Sequence, residues 1–425
     1  MAQEIDPKEI MDFLKARMSA RLKMWVNICA HCGLCSDTCH YYLSSGRDPK
    51  MTPAHKVRFF KEISRKKGKV DRDYLQKVYD TVYHECNMCR RCTLYCPFGI
   101  DIASLIALLR ALLLTQGMAP EGLLKTVENY RASGNQMSIT KEDWVETLEW
   151  CEEETSDELP GLKIPIDKKG ARIMYTVNAR EPMFYPQDIM EVARIFHVAG
   201  EDWTLPSEDG WDDTNLAMFC GDQKTAGMIA ENTFKRAREL GVQKVAVTEC
   251  GHAYRGLRFE APGWIGYTPE QEVIHSVELF HDYIRDGRIK LKAKIKEPTT
   301  LQDPCNVVRN GGLAYKNRRL AEYLSEDFRP MKYQGNYNYC CGGGGGAMPM
   351  GGEMKKHRLK SGRIKAEQIR ETGAKIVFVP CHNCIDQIRD LSNEYNLGIK
   401  AIHFKEAISE LMLIPDQMLP NEDEE

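Results

Sequence analysis

From Ala171 onward, short apolar runs rich in β-branched residues alternate with stretches whose apolar positions recur at helical spacing. That alternation predicts an α/β region with a largely parallel sheet. Lys244–Thr248 and Lys375–Val379 read as strands. Asn232–Leu240 and Arg363–Glu371 read as the helices before them, each stopping at a glycine, Gly241 and Gly373. The two helix, glycine, strand, cysteine units look like copies of one another, Glu239 to Cys250 beside Glu371 to Cys381, with one residue deleted in the second. Upstream, Phe219-Cys220-Gly221 pairs with Cys340-Cys341-Gly342, which predicts an internal repeat.

The first part of the chain has a different grammar. Residues 1–120 hold eight cysteines in two groups, separated by a basic segment from Lys56 to Arg72 and followed by an apolar helix, Ile102 to Leu114. That helix is interrupted by Arg110 and is well short of the ~20 apolar residues that cross a bilayer. The basic segment, with Lys56, Arg58, Arg65, Lys66, Lys67 and Lys69, reads as a solvated helix face or as a docking surface for an acidic redox partner. Residues 121–170 read as a helical, acidic connector, ending at Pro160 and Gly161 after Glu152, Glu153, Glu154, Asp157 and Glu158. The division that follows is 1–120, 121–170, 171–298, 299–415 and an acidic tail, 416–425.

At 425 residues, 43% hydrophobic and 28% charged, the chain can bury two or three cores. A net charge of −3 gives no field that would favour nucleic acid. Met1 to Asp12 alternates charged and apolar residues, unlike a secretory signal, so a cytoplasmic location is expected, with any membrane attachment made through a partner. Sixteen cysteines in a reducing compartment point to metal or redox chemistry rather than disulfides.

Their spacing is specific. Cys29-x2-Cys32-x2-Cys35-x3-Cys39 and Cys86-x2-Cys89-x2-Cys92-x3-Cys96-Pro97 each match the bacterial ferredoxin pattern. Three thiolates two residues apart on a tight loop can hold one face of a cubane, and in two-cluster ferredoxins the fourth ligates the neighbouring cluster. By that rule Cys29, Cys32, Cys35 and Cys96 hold one [4Fe-4S] cluster, and Cys86, Cys89, Cys92 and Cys39 the other. The competing reading is a pair of four-cysteine zinc sites, but those usually pair two CxxC knuckles. His40 replaces the proline after the first run, at a position that is no ligand.

Toward the C-terminus stand Cys305, the pair Cys340 and Cys341, and Cys381-His382-Asn383-Cys384, a C-x34-CC-x39-CxxC array. Adjacent cysteines at a glycine-rich turn can bridge irons, and CxxC on a loop after a strand adds two thiolates. The run Gly342–Gly346 lacks the Lys-Ser/Thr of a nucleotide loop, so its glycines read as allowing close backbone approach and N–H bonds to sulfur. The other repeat keeps Cys220 and Cys250 but has Phe219 and Ala253 at the remaining cysteine positions, so a second five-cysteine site is not expected. Cys151 reads as a buried small hydrophobe. Cys220 and Cys250 read either so or as facing the site across the repeat. His252 and His382 read as structural residues, with proton donation to thiols as the alternative.

The five-cysteine array resembles the CCG (cysteine-rich) domain of heterodisulfide reductases, where it binds a non-cubane [4Fe-4S] cluster. Two ferredoxin runs followed by a CCG domain resemble the D subunit of membrane-bound heterodisulfide reductase. Relatives of the same pattern are the K subunit of the Dsr membrane complex, the B subunit of the Tmc complex and the D subunit of class II benzoyl-CoA reductase. The resemblance runs from about Met18 to Met412 and implies a mixed α+β and α/β multi-domain chain: a helical two-cluster ferredoxin-type domain, then two related α/β CCG-type lobes. It implies two cubane clusters and one non-cubane cluster, with no flavin or nucleotide in this chain. It also implies electron transfer in an anaerobe, with a membrane cytochrome b-type or flavoprotein partner subunit. Cys341 and Cys305 are the expected residues for thiol/disulfide chemistry. Erosion of one CCG motif argues against cleavage of the heterodisulfide itself. A flavin-linked dehydrogenase complex of the glycerol-3-phosphate or lactate type, a catalytic heterodisulfide reductase and a mere assembly surface are the alternatives.

Overall fold

The computed structural model describes residues 5–420; residues 1–4 and 421–425, the end of the acidic tail, lie outside the described range. The chain combines helices with two parallel sheets. The first has strands β1 (Ile173–Thr176), β2 (Trp203–Thr204), β3 (Lys244–Val247) and β4 (Glu272–His275) in the order β2-β1-β3-β4. The second has β5 (Thr299–Leu301), β6 (Ile376–Phe378) and β7 (Lys400–Ile402) in sequence order. Every pairing in both sheets is parallel, so long crossovers must connect the strands. Helix Gln223–Leu240 leads into β3 and helix Gly351–Thr372 into β6. Each ends on a glycine in the left-handed region, Gly241 and Gly373, both at φ 65°, where a Cβ would be strained.

One hydrophobic core joins the two sheets, holding Tyr175 from the first with Phe378 and Ile402 from the second, and Phe196 and Phe404 from the helices packed on them. The acidic connector is part of it. Helix Lys141–Glu158 buries Trp144, Leu148 and Cys151; Trp144 stacks on Trp211 at 4.4 Å and donates its indole N–H to the Pro206 carbonyl at 2.9 Å. Its charged face points outward, and the helix packs as core rather than as a linker.

The N-terminal region is helical and has its own core around helix Ile102–Thr115, whose N-cap Asp101 accepts from the Ser104 amide. That core continues into Phe219 and Cys220 of helix Ala217–Cys220 and into Ala226 and Ile229 of helix Gln223–Leu240. The basic segment is only partly a solvated face: Lys56 is 2% exposed, its ammonium donating to the Glu85 carbonyl and lying 4.8 Å from the Tyr41 ring centroid. No helix among the described residues is long and apolar enough to cross a membrane.

Candidate iron-sulfur centres

Cys29 ends helix Ala20–Ile28 in an extended conformation, and a turn-rich loop carries Cys32 and Cys35. These three thiols and Cys96, from the second run, line one surface cavity of about 330 Å³. Pro97, Phe98, Ile100 and Ile102 supply an apolar wall. Cys32 is exposed, whereas burial pushes the Cys35 thiol up.

The second run begins after a helix that loosens at Asp80–His84. Met88 and Arg90 take positive φ, 51° and 61°, which folds Cys86, Cys89 and Cys92 onto a tight loop; the Met88 amide points at Cys86 Sγ at 3.4 Å. The Cys92 thiol is driven well above its ordinary value by burial and by Cys89, Cys39 and Cys86 beside it. Cys39, from the first run, is therefore a neighbour of the second run's thiols. Burial also raises the Cys86 thiol, with buried Lys56 opposing it.

All five cysteines of the C-terminal array line a third, nearly closed cavity. Cys305 follows β5, Cys340 and Cys341 precede the glycine run, and Cys381 opens helix His382–Glu394, which carries Cys384. Cys341 Sγ and Cys384 Sγ are 3.3 Å apart. The Gly342 and Gly343 amides each point at a sulfur, Cys340 and Cys341, at 3.4 Å. Two of the glycines have no room for side chains: a Cβ at Gly343 would lie 2.4 Å from the Asn383 carbonyl oxygen, and one at Gly345 2.6 Å from Asn87 Cα. Hydrogen bonds from Cys340 and Cys384 hold the Cys341 thiol well below its ordinary value. One from Cys384 lowers Cys381 to about 7. Soft donors that converge in a buried pocket, with amides aimed at sulfur, fit a multi-iron cluster.

The second and third sites adjoin, and Cys340 is close enough to Cys89 to hold its thiol well below the ordinary value. Four residues that the motifs did not single out build this junction or the pocket behind it. Asn87 accepts at its side-chain oxygen from His40 at 3.1 Å and donates to the Gly342 and Gly344 carbonyls at 3.1 and 2.7 Å. Arg309 donates to the Cys89 carbonyl at 2.7 Å. Arg110, fully buried, donates to the carbonyls of Val82, Cys86, Phe219 and Gly345. Lys365, 1% exposed, lies near Cys340, Cys341 and Cys384. Only Arg110 left a trace in the sequence, as the charge inside an apolar run.

Cys250 sits beside the third cavity, its Sγ 3.3 Å from His252 Nδ1, and His252 lines the cavity wall. Cys220 is packed in the N-terminal core, its carbonyl accepting from Tyr83 at 2.9 Å. Cys151 is wholly buried. His382 is engaged elsewhere: Nδ1 meets the Glu249 carbonyl and Nε2 meets Asp188 and Glu181, each at 3.0 Å. Asp188, His382 and His403 converge closely enough for a metal ion, but Lys405 Nζ already stands 2.8 Å from Asp188, and its ammonium supplies the positive charge there.

The comparisons with known proteins agree with these positions. Residues 25–100 match the 4Fe-4S dicluster domain model and residues 299–389 the cysteine-rich domain model. The Hdr-like menaquinol oxidoreductase iron-sulfur subunit 2 of Archaeoglobus fulgidus is 25% identical, over 89% of this chain and 78% of that protein. The D subunit of the dihydromethanophenazine:CoB–CoM heterodisulfide reductase of Methanosarcina acetivorans is 24% identical, over 86% of this chain and 89% of its own length. The chain resembles heterodisulfide-reductase-type iron-sulfur subunits over most of its length.

Proposed function

We propose that this chain is the iron-sulfur electron-transfer subunit of an anaerobic redox complex, carrying a three-centre relay from its surface into its C-terminal domain. The observation that carries the proposal is the row of thiol sites. Cys29, Cys32, Cys35 and Cys96 would hold the outer cubane, and Cys86, Cys89, Cys92 and Cys39 the inner one. Cys305, Cys340, Cys341, Cys381 and Cys384 would hold a non-cubane [4Fe-4S] cluster. Bound clusters supply one-electron exchange without bond breaking.

The chain's own residues arrange the rest. Exposed Cys32, beside exposed Leu34 and Phe98, gives a partner subunit close approach to the first site. Cys92 lies near enough to Cys35 to feel its charge, and Cys89 lies against Cys340, so no site is isolated from the next. Arg110 and Asn87 clamp the inner loop onto the glycine run, and Arg309 ties Cys89 to Asn336 and Asn338 just before it. At the last site the lowered thiols of Cys341 and Cys381 suit thiol/disulfide exchange, with Cys341 and Cys305 in contact with the reacting sulfur. The chain would reach a membrane through a cytochrome b-type or flavoprotein partner.

The two sheets are read as related lobes, 171–298 and 299–415, the first with its cysteine site eroded. Gly221 and Gly342, after the paired cysteines, share φ of 96° and 100°, and Cys250 and Cys381 each open a helix after a strand. The division 1–120 and 121–170 for the ferredoxin-type domain and the connector belongs to the same reading.

The test is electron flux through Cys341→Ala. A relay ending at the five-cysteine site predicts that both N-terminal clusters still reduce while electrons no longer reach the terminal acceptor. Full flux through the variant would leave the C-terminal domain as an assembly surface.

A further inference from the structure

The interior holds several lysines, and they are not alike. Lys405 is 0% exposed and fully paired, with Asp188 at 2.8 Å and Glu181 at 3.6 Å. Lys365 is equally deep, at 1% exposure, yet its ammonium meets only the thioether of Met331, at 3.3 Å. Among the described residues no carboxylate forms an ion pair with it. A buried ammonium without a counter-ion costs far more than a thioether contact returns, so its negative partner must be sought around it.

Met331, which the ammonium touches, packs in one buried cluster with Cys341, Cys381 and Cys384, and the charges Lys365 faces are the Asp303 carboxylate and the thiols of Cys341, Cys340 and Cys384. Asp303 is held at Oδ2 by the Gly335 amide at 2.6 Å and by Arg318 at 4.0 Å, while its Oδ1 has no hydrogen-bond partner and forms no ion pair with Lys365. One carboxylate shared with Arg318 leaves the thiols as the other negative groups around Lys365, and they belong to the ligand set proposed for the C-terminal centre.

We propose that Lys365 is the counter-cation of the five-cysteine centre and raises its reduction potential. The inference rests on the reading that this centre binds a cluster. When the centre takes one electron from a reductant, no bond changes and its charge becomes one unit more negative. A fixed ammonium in a poorly screened interior therefore stabilises the reduced state more than the oxidised one. Lys365 touches no reacting atom and acts as a positioning charge.

The experiment is an EPR-monitored redox titration of the anaerobically purified full chain with iron analysis, on the wild type, Lys365→Met and Lys365→Arg. Wild type should carry roughly 12 Fe. At a fixed potential Lys365→Met should raise the oxidised-to-reduced ratio of the C-terminal centre at least about tenfold, ~59 mV for a one-electron couple. Lys365→Arg should stay near wild type, and the two N-terminal clusters should not move. Full iron with an unmoved C-terminal midpoint, or equal shifts in both variants, would overturn the proposal. Should Lys365→Met lose the C-terminal iron, retention by Lys365→Arg supports the charge role, and loss by both refutes it. Wild type with roughly 8 Fe would instead remove the cluster reading on which the inference rests.

Discussion

Replacing Arg110 by methionine should uncouple the inner cluster loop from the glycine run while leaving every cysteine in place. The guanidinium donates to Val82 O at 3.0 and 2.8 Å, to Cys86 O and Phe219 O at 2.9 Å, and to Gly345 O at 2.7 Å. Its plane lies 4.6 Å from the Tyr83 ring centroid. Hydrogen bonds to a charged donor contribute about 1.5–3 kcal/mol each, and stranded buried carbonyls add to the loss. Removal of the buried cation's desolvation returns several kcal/mol, so a net loss of about 4 kcal/mol is expected. Methionine keeps much of the volume but none of the donors. The assay is hydrogen exchange by mass spectrometry over residues 82–87 and 342–346 of the cluster-loaded protein. At about 1.4 kcal/mol per decade, exchange there should quicken roughly a thousandfold, with Arg110→Lys intermediate because an ammonium has three donors rather than five. Exchange within threefold of wild type in both segments would show that Arg110 does not hold the junction.

Three further outcomes are expected. Cys39→Ala should cost the cluster held by Cys86, Cys89 and Cys92 and spare the one held by Cys29, Cys32 and Cys35; EPR spectra losing the latter would refute the crossed ligand set. Trp144→Ala should destabilise the chain by about 3–5 kcal/mol in urea unfolding, because the connector is core; a linker helix would lose less than about 1 kcal/mol. Burial alone would lower the pKa of His382, but the Glu181 and Asp188 carboxylates outweigh it and raise the value to about 10. A raised histidine stabilises fully below its unfolded value of about 6.5, and that contribution is lost as pH climbs to about 10. The urea midpoint of His382→Gln should therefore lie below wild type near pH 6.5 and approach it near pH 10; a gap constant with pH would contradict this.

The iron-sulfur character of the chain was legible because ligand spacing is local: cysteines two residues apart on a tight loop mark a 4Fe-4S dicluster domain without reference to the rest of the chain. The strands and their glycine-terminated helices were legible for the same reason, although β6 is shorter than Lys375–Val379, and its helix starts at Gly351 rather than Arg363. What joins the sites is non-local. Asn87 meets Gly342 across 255 positions and Arg110 meets Gly345 across 235, and no periodicity encodes such contacts. Charge also misled. Lys56 and Lys365 look like surface lysines in a basic stretch, and only packing shows that each is buried near thiols. The acidic residues of 152–158 suggested a linker, while the core-forming face of the same helix is carried by Trp144, Leu148 and Cys151.

The central claim, three cluster sites in one chain, is tested most directly by iron and acid-labile sulfide per chain on anaerobically purified protein. EPR of reduced and oxidised samples, with and without added thiol, completes the measurement. Three four-iron centres predict roughly 12 Fe and a thiol-sensitive signal on oxidation; roughly 8 Fe without that signal would mean a plain two-cluster relay and contradict the C-terminal centre.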